Sequence, residues 1–292
     1  MIALFAALAL ALPSVVANIG TGTRPCGAAV SGKYFYVDNY GAGTLSRIDP
    51  ATNKVVGRVK VGLGPCGVVA GGGSLWVENY FQDTIARVDP AKLKVVKQIR
   101  VGERPWDVVY GYGSVWSSNQ TDATVSRIDP RTNRVVKTIH TGGSPACIRA
   151  GAGAIWVGSQ NGDFIYRINP ATNTVAPIKI GHLSELCVDV EPDAVWVSDD
   201  AFNSVTRIDP KTNAIVATIK VDGSPADGTR GPDGYIWMPN QGPSGTISRI
   251  DPATNTLVDT ITVGGHLFVV RRGFGSLWAG DFAGSTVRRI QP

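Results

Sequence analysis

Apolar and polar residues alternate with a period of two in short runs along nearly the whole chain. Lys94–Arg100 reads Lys-Val-Val-Lys-Gln-Ile-Arg and Thr84–Asp89 reads Thr-Ile-Ala-Arg-Val-Asp. Runs of this kind are separated by Gly, Asn, Asp and Pro, the pattern of half-buried strands joined by tight turns. Outside the apolar run at the N-terminus no segment keeps a 3.6-residue period, so an all-β fold is predicted.

The runs themselves repeat. Arg-Ile-Asp-Pro and its variants begin at Arg47, Arg87, Arg127, Arg167, Arg207, Arg249 and Arg289, a spacing of 40 residues broken by one of 42. An aromatic marker keeps the same phase at Tyr36, Trp76, Trp116, Trp156, Trp196, Trp237 and Trp278. Each unit reads as four strands: an apolar run such as Gly67–Ala70, a strand with the marker, and two alternating strands. At the last turn Asp49 and its equivalents cap, Pro50 presets φ, and Asn53, Asn133, Asn173, Asn213 and Asn255 suit a positive φ. Four-stranded units of this length are the signature of propeller blades. The prediction is a seven-bladed β-propeller with four antiparallel strands per blade. Lys and Arg on the fourth strands, with Pro177, guard the outer edges. The chain stops after the third strand of its last unit, while Val15–Gly22 matches Val135–Gly142 in register. The N-terminal strand is therefore expected to close the last blade.

Composition narrows the classes. In 292 residues, 43% are hydrophobic and 17% charged, a globular balance. The net charge is +5, but the basic residues recur singly, so nucleic acid is not an expected partner. Ile2–Leu12 has the length of a signal-peptide core and is too short to span a bilayer. Cleavage after Ala9-Leu10-Ala11 would spare the first strand, whereas cleavage after Val15-Val16-Ala17 would cut it. The reading is a signal peptide over 1–11 and a single propeller domain over 12–292, secreted, periplasmic or at the cell surface, with no membrane span and a monomeric state. A misassigned start or a buried first strand is the alternative.

Tyr36-Val37-Asp38-Asn39 and Ile48-Asp49-Pro50-Ala51-Thr52-Asn53-Lys54-Val55-Val56 resemble the YVTN family of propeller repeats. Asp233-Gly234-Tyr235-Ile236-Trp237, with Ile247-Ser248-Arg249-Ile250-Asp251-Pro252, is similar to the repeats of virginiamycin B (streptogramin) lyases. The resemblance covers nearly all of the chain after the leader. It implies the propeller, and blades host many activities. YVTN-type proteins are often exported. The lyases open a cyclic depsipeptide by elimination, using Mg²⁺ with a His and a Glu-x-His pair near the axis. No Glu-x-His occurs here, so carried-over lyase chemistry would rest on His266, with Mg²⁺ as its cofactor and the metal ligands unknown.

Topology supplies the other candidates. In a propeller the loop leading into each first strand and the loop between strands two and three share one face, around the channel mouth. Those loops place Asn39, Tyr40, Glu78, Tyr80, Trp106, Asp107, Asn119, His182, Glu185, Asp199, Asp227, Asn240 and Asp281 there as candidate ligand-binding residues. Trp106 is the one Trp outside the marker series, so the packing repeat does not account for it. The alternative is that the Asn and Asp residues only cap turns. Cys26 and Cys66 precede their markers by ten residues, and Cys147 and Cys187 by nine. Each pair occupies equivalent places in adjacent units, so bridges Cys26–Cys66 and Cys147–Cys187 are predicted, with buried free thiols as the alternative.

Two functions follow from this reading. The favoured one is an exported module that binds a small molecule, peptide, glycan or protein on its loop face, with no cofactor. The other is a metal-assisted lyase, or a lactonase-type hydrolase, at the same mouth.

Overall fold

A computed structural model describes residues 12–292. The signal peptide expected over 1–11 lies outside the described residues. In chain order the strands begin with β1 (Ser14–Gly20), β2 (Pro25–Ser31), β3 (Tyr34–Asn39), β4 (Thr44–Asp49), β5 (Lys54–Lys60), β6 (Val68–Gly71) and β7 (Ser74–Asn79). They continue with β8 (Thr84–Asp89), β9 (Lys94–Arg100), β10 (Pro105–Gly111), β11 (Ser114–Asn119), β12 (Thr124–Asp129) and β13 (Arg134–His140). Next come β14 (Pro145–Gly151), β15 (Ala154–Ile168), β16 (Val175–Glu191), β17 (Ala194–Asp199), β18 (Ser204–Ile208) and β19 (Ile215–Lys220). The last are β20 (Ser224–Pro225), β21 (Thr229–Arg230), β22 (Ile236–Gln241), β23 (Thr246–Asp251), β24 (Thr256–Thr262), β25 (Leu267–Gly273), β26 (Ser276–Asp281) and β27 (Thr286–Gln291). No helix occurs among the described residues.

The strands form an all-β propeller, but of six hydrogen-bonded sheets rather than the seven separate blades expected. The fourth and fifth repeats share one six-stranded sheet, β14 to β19. β15 joins the second and third strands of the fourth repeat, β16 runs from that repeat's outer strand into the inner strand of the fifth, and the two pair at Ser159↔Leu186 and Gly162↔Ser184. Gly158 permits that approach, because a Cβ there would lie 1.8 Å from the Leu186 carbonyl oxygen. In the sixth repeat the inner strand is broken into β20 and β21, both paired with β22. Between them Asp227 forms a parallel bridge to Val269 of the next sheet.

The N-terminal strand does not close the ring between the first and last sheets. β1 pairs with β27, Ser14↔Gln291 through Gly20↔Thr286, and so lies on the outer rim of the last sheet. It makes no ladder to the first sheet, β2–β5. Side chains make that junction instead. Phe35 stacks on Trp278 at 4.4 Å, within a cluster holding Ile19, Val37, Ile48 and Val287. Arg289 donates to the Pro50 carbonyl at 2.6 Å and to Asn53 Oδ1 at 3.0 Å.

The repeat markers hold the sheets together. The marker Trp residues and Tyr36 are fully buried between sheets. The repeat arginine stacks on the Trp of its own sheet, for example Arg127 over Trp116 at 4.6 Å and Arg87 over Trp76 at 5.0 Å. It then reaches the Asp-Pro turn one repeat on: Arg87 to Pro130 O at 2.7 Å, Arg127 to Pro170 O at 2.8 Å, Arg207 to Pro252 O at 2.7 Å. The turn asparagines adopt the left-handed conformation, with φ of 55° at Asn53 and 61° at Asn173. Most outer strands carry a β-bulge at one exposed valine, such as Val56, Val96, Val136, Val216 and Val258. Bulges discourage edge-to-edge pairing. The outer segment of the fourth repeat pairs without that register shift and carries Pro177 opposite Tyr166.

Candidate functional site

At the loop face, six aromatic rings form a closed belt. Tyr40 lies 5.9 Å from Phe81, Phe81 5.0 Å from Tyr80, and Tyr80 5.7 Å from Trp106. Trp106 lies 6.5 Å from Phe268, Phe268 6.1 Å from Phe282, and Phe282 5.7 Å from Tyr40. Arg24 sits over Phe282 at 5.4 Å and Arg104 over Tyr80 at 5.6 Å. Trp106 and Phe268 stand at the starts of β10 and β25, and Tyr40, Tyr80, Phe81 and Phe282 lie on the loops after β3, β7 and β26. These loops converge because every repeat presents the same two connections to the axis. Tyr80 donates to Gln120 Oε1 at 2.9 Å, which extends the rim. Farther round, His182 stacks on Phe202 at 3.8 Å and its Nδ1 lies 3.2 Å from Asp199.

Below the belt the channel is polar and buried. Asp38 accepts from the Gly27 amide at 2.9 Å, and Glu78 accepts from the Cys66 amide. Burial pushes both carboxyls well above the usual carboxylate range. A chain of ions then crosses the channel. Arg149 contacts Asp107 and Asp227, each at 2.5 Å, and Asp227 also binds Arg271. Arg149 lies on β14 and Asp227 follows β20, so the guanidinium spans a chord that skips the intervening repeat. Burial opposes the charge of Asp227, yet Arg149 and Arg271 hold its carboxyl below the usual range. Glu185, near the mouth, is raised to about 7 by burial, with Asp200 and Asp227 adding to it.

Not all of the expected residues meet at the mouth. Tyr40, Tyr80 and Trp106 join the belt. Asn39, Asn119 and Asn240 turn into their own sheets, where each donates to a serine hydroxyl: Ser46, Ser126 and Ser248. Asp281 accepts from the His266 amide at 2.9 Å and contacts Arg288 at 3.2 Å. His266 is thus held by its backbone in the loop before β25, while Asp227, the acid one repeat earlier, is taken by two arginines. Cys26 is bonded to Cys66 and Cys147 to Cys187, with Cα separations of 4.9 and 5.0 Å.

Asp107, Cys147 and Asp227 bring potential ligand atoms within 4.8 Å of one another. This set does not fit the Mg²⁺ of the lyase resemblance. Magnesium takes oxygen ligands in octahedral order. Here the sulfur is tied in a disulfide, and Arg149 already places its positive charge against both carboxylates.

Sequence reasoning missed Phe268, Arg149, Asp189 and Arg271 as site residues. A signal existed. The inner-strand residues paired with the marker aromatics are Ala29, Val69, Val109, Arg149, Asp189, Thr229 and Arg271. Packing alone would keep one residue type there, as it does at the marker itself. Four of these seven positions are polar or charged.

This fold and mouth define an all-β propeller with a belted channel. Residues 65–184 match a repeat family described as "Repeat of unknown function (DUF6923)". No curated protein matches the chain in sequence. Among solved structures, hydrazine synthase of Kuenenia stuttgartiensis superposes with a TM-score of 0.83 at 18% identity, over 93% of this chain and 96% of the other. Virginiamycin B lyase of Staphylococcus aureus superposes with a TM-score of 0.81 at 17% identity, over 96% of this chain and 100% of the other. At such identities the likeness is one of fold.

Proposed function

We propose that the protein is an exported binding module that captures an extended peptide or protein segment on the loop face. The aromatic belt carries this reading. Its rings are left partly open to solvent, and Leu63, Phe81, Leu183 and Phe202 stand exposed on the same face. Contiguous exposed apolar surface of this kind marks interaction sites. Trp, Tyr and Arg together are the composition of binding hot spots. Two disulfides between adjacent inner strands support the export reading.

Peptides selected from a displayed random library against the full chain test the idea. Truncating a central anchor costs about 2 kcal/mol or more, so Trp106→Ala and Phe81→Ala should each weaken the selected peptides about 30-fold. Val96→Ser, on an outer edge, should leave affinity unchanged. A library that yields no binders, or binders indifferent to both belt substitutions, overturns the reading. Export is tested separately by counting free thiols in protein recovered from outside the cytoplasm. None is expected, and four would remove that part.

A further inference from the structure

The channel has a second compartment on the far side of the ion chain. A cavity of about 320 Å³ is lined by the inner strands from Cys66, Asp107 and Arg149, at the level of the ion chain, to their turn ends. None of the six belt aromatics lines it. Val30 and Arg272, just before the β2–β3 and β25–β26 turns, do, so it opens on the hairpin-turn face, opposite the belt. All seven residues paired with the marker aromatics line its wall. Ala29, Val69 and Val109 make one arc apolar. Arg149, Asp189, Thr229 and Arg271 make the other arc polar.

The polar arc is not equally satisfied. Arg149 is taken up by Asp107 and Asp227, and Arg271 by Asp227 and backbone carbonyls. Arg230 and Arg272 both face Glu191, and Arg230 also contacts Asp193. Asp189 is left over. Its side chain is nine-tenths buried, lines the cavity, and its Oδ2 has no hydrogen-bond partner. Asp107, Asp227 and Glu191 are each met by at least one guanidinium, so Asp189 is the one buried carboxylate of this compartment with no donor on it. A buried acceptor with no donor is costly, and a ligand that supplies the donor removes the cost.

We infer that this compartment is a binding site for a small organic cation, an ammonium head donating to Asp189 with a compact apolar body against Val69 and Val109. The volume suits a ligand of that size. The site lies apart from the loop face and does not depend on the belt's role. Its own acid reports on occupancy. Burial raises Asp189 to about 7, with Glu191 and Asp227 adding to the rise and Arg149 and Arg271 opposing it. Those four groups face it from β16 itself, from β14, from β25 and from the segment after β20.

The test is titration calorimetry on the full chain with cyclohexylammonium, cyclohexanol and cyclohexanecarboxylate. The ammonium should bind, and the alcohol and carboxylate should bind at least about 10-fold more weakly, the scale of one charge-assisted hydrogen bond. Binding should weaken as pH falls from about 8 to about 5.5, since Asp189 must be ionised to accept. Asp189→Asn should lower affinity about 10-fold or more, and Trp106→Ala should leave it unchanged. If Asp189→Asn does not fold, Val69→Phe, which fills the apolar arc without altering charge, should abolish binding. Equal affinity for alcohol or carboxylate, full affinity in either cavity variant, loss on Trp106→Ala, or no ammonium binding overturns the inference.

Discussion

Going round the channel, the inner strands β2, β6 and β10 place Ala29, Val69 and Val109 opposite their marker aromatics. At the same position β14, β16, β21 and β25 place Arg149, Asp189, Thr229 and Arg271. The backbone environment is that of one repeat, so the fold does not require the change. Small apolar residues suffice for a stable inner strand, as the first arc proves. Buried ion pairs recover their desolvation cost only with good geometry and are weak evidence for stability. The second arc therefore points to use rather than to packing. The mouth divides in a similar way. Its aromatic belt comes from the side of β2, β6, β10 and β25, while His182, Glu185, Asp199 and Asp200 occupy the rest of the rim.

The two arcs should respond differently to substitution. The largest effect is expected from Asp227→Ala, which strands Arg149 and Arg271 in the channel. Breaking such a buried network costs about 3–5 kcal/mol, read by urea denaturation. A loss below about 1 kcal/mol would show that water already satisfies the arginines. Next is Gly158→Ala. The added Cβ meets the Leu186 carbonyl, so the link between the fourth and fifth repeats should open at a cost of about 1–3 kcal/mol, with faster amide exchange around Leu186. At the equivalent place in the third repeat the buried Ser118 hydroxyl hydrogen-bonds the Asp107 backbone, so Ser118→Ala should cost about 1 kcal/mol without opening a link between repeats.

The third effect is on pH. Asp189 and Glu185 both titrate near 7 when folded and lower when unfolded. The folded state thus holds more protons in that interval, and stability falls as pH rises from the ordinary carboxylate range toward about 7. Between about pH 5 and 7.5 the decline should amount to about 1–3 kcal/mol, and Asp189→Asn should make it shallower, with Glu185, Asp38 and Glu78 keeping the rest. A stability that rises over this interval in the wild-type chain would contradict the assignment of both acids. Smallest is Val69→Ala on the apolar arc. The side chain borders a cavity rather than filling a packed core, so the loss should stay below about 1 kcal/mol. A loss as large as that of Asp227→Ala would erase the distinction between the arcs.

Much of this architecture was legible in the chain. The marker aromatics, the Asp-Pro turns with left-handed asparagines and the two cysteine pairs follow from local rules that act within one repeat or between equivalent places in neighbours. The belt was half legible: Trp106 stands out as the Trp outside the marker series, while Phe268 sits ten residues before its marker, as Trp106 does, and Phe282 four after, as Tyr40 and Tyr80 do, a phase that does not by itself say that the rings meet. The asparagines misled, because Asn39 and Asn119 serve their own sheets, as turn-capping residues do. The ion chain was not legible at all. It joins Arg149 to Asp227 across a chord, and no spacing rule relates residues that meet only through the axis.

The division follows from the range of the forces. Strand period, turn geometry and the spacing of aromatic residues are set by contacts a few residues long, and those are written in order along the chain. The number of hydrogen-bonded sheets was decided elsewhere, by Gly158 letting one backbone reach another. So was the emptiness around Asp189, because whether a buried acid finds a donor depends on everything that closes over it.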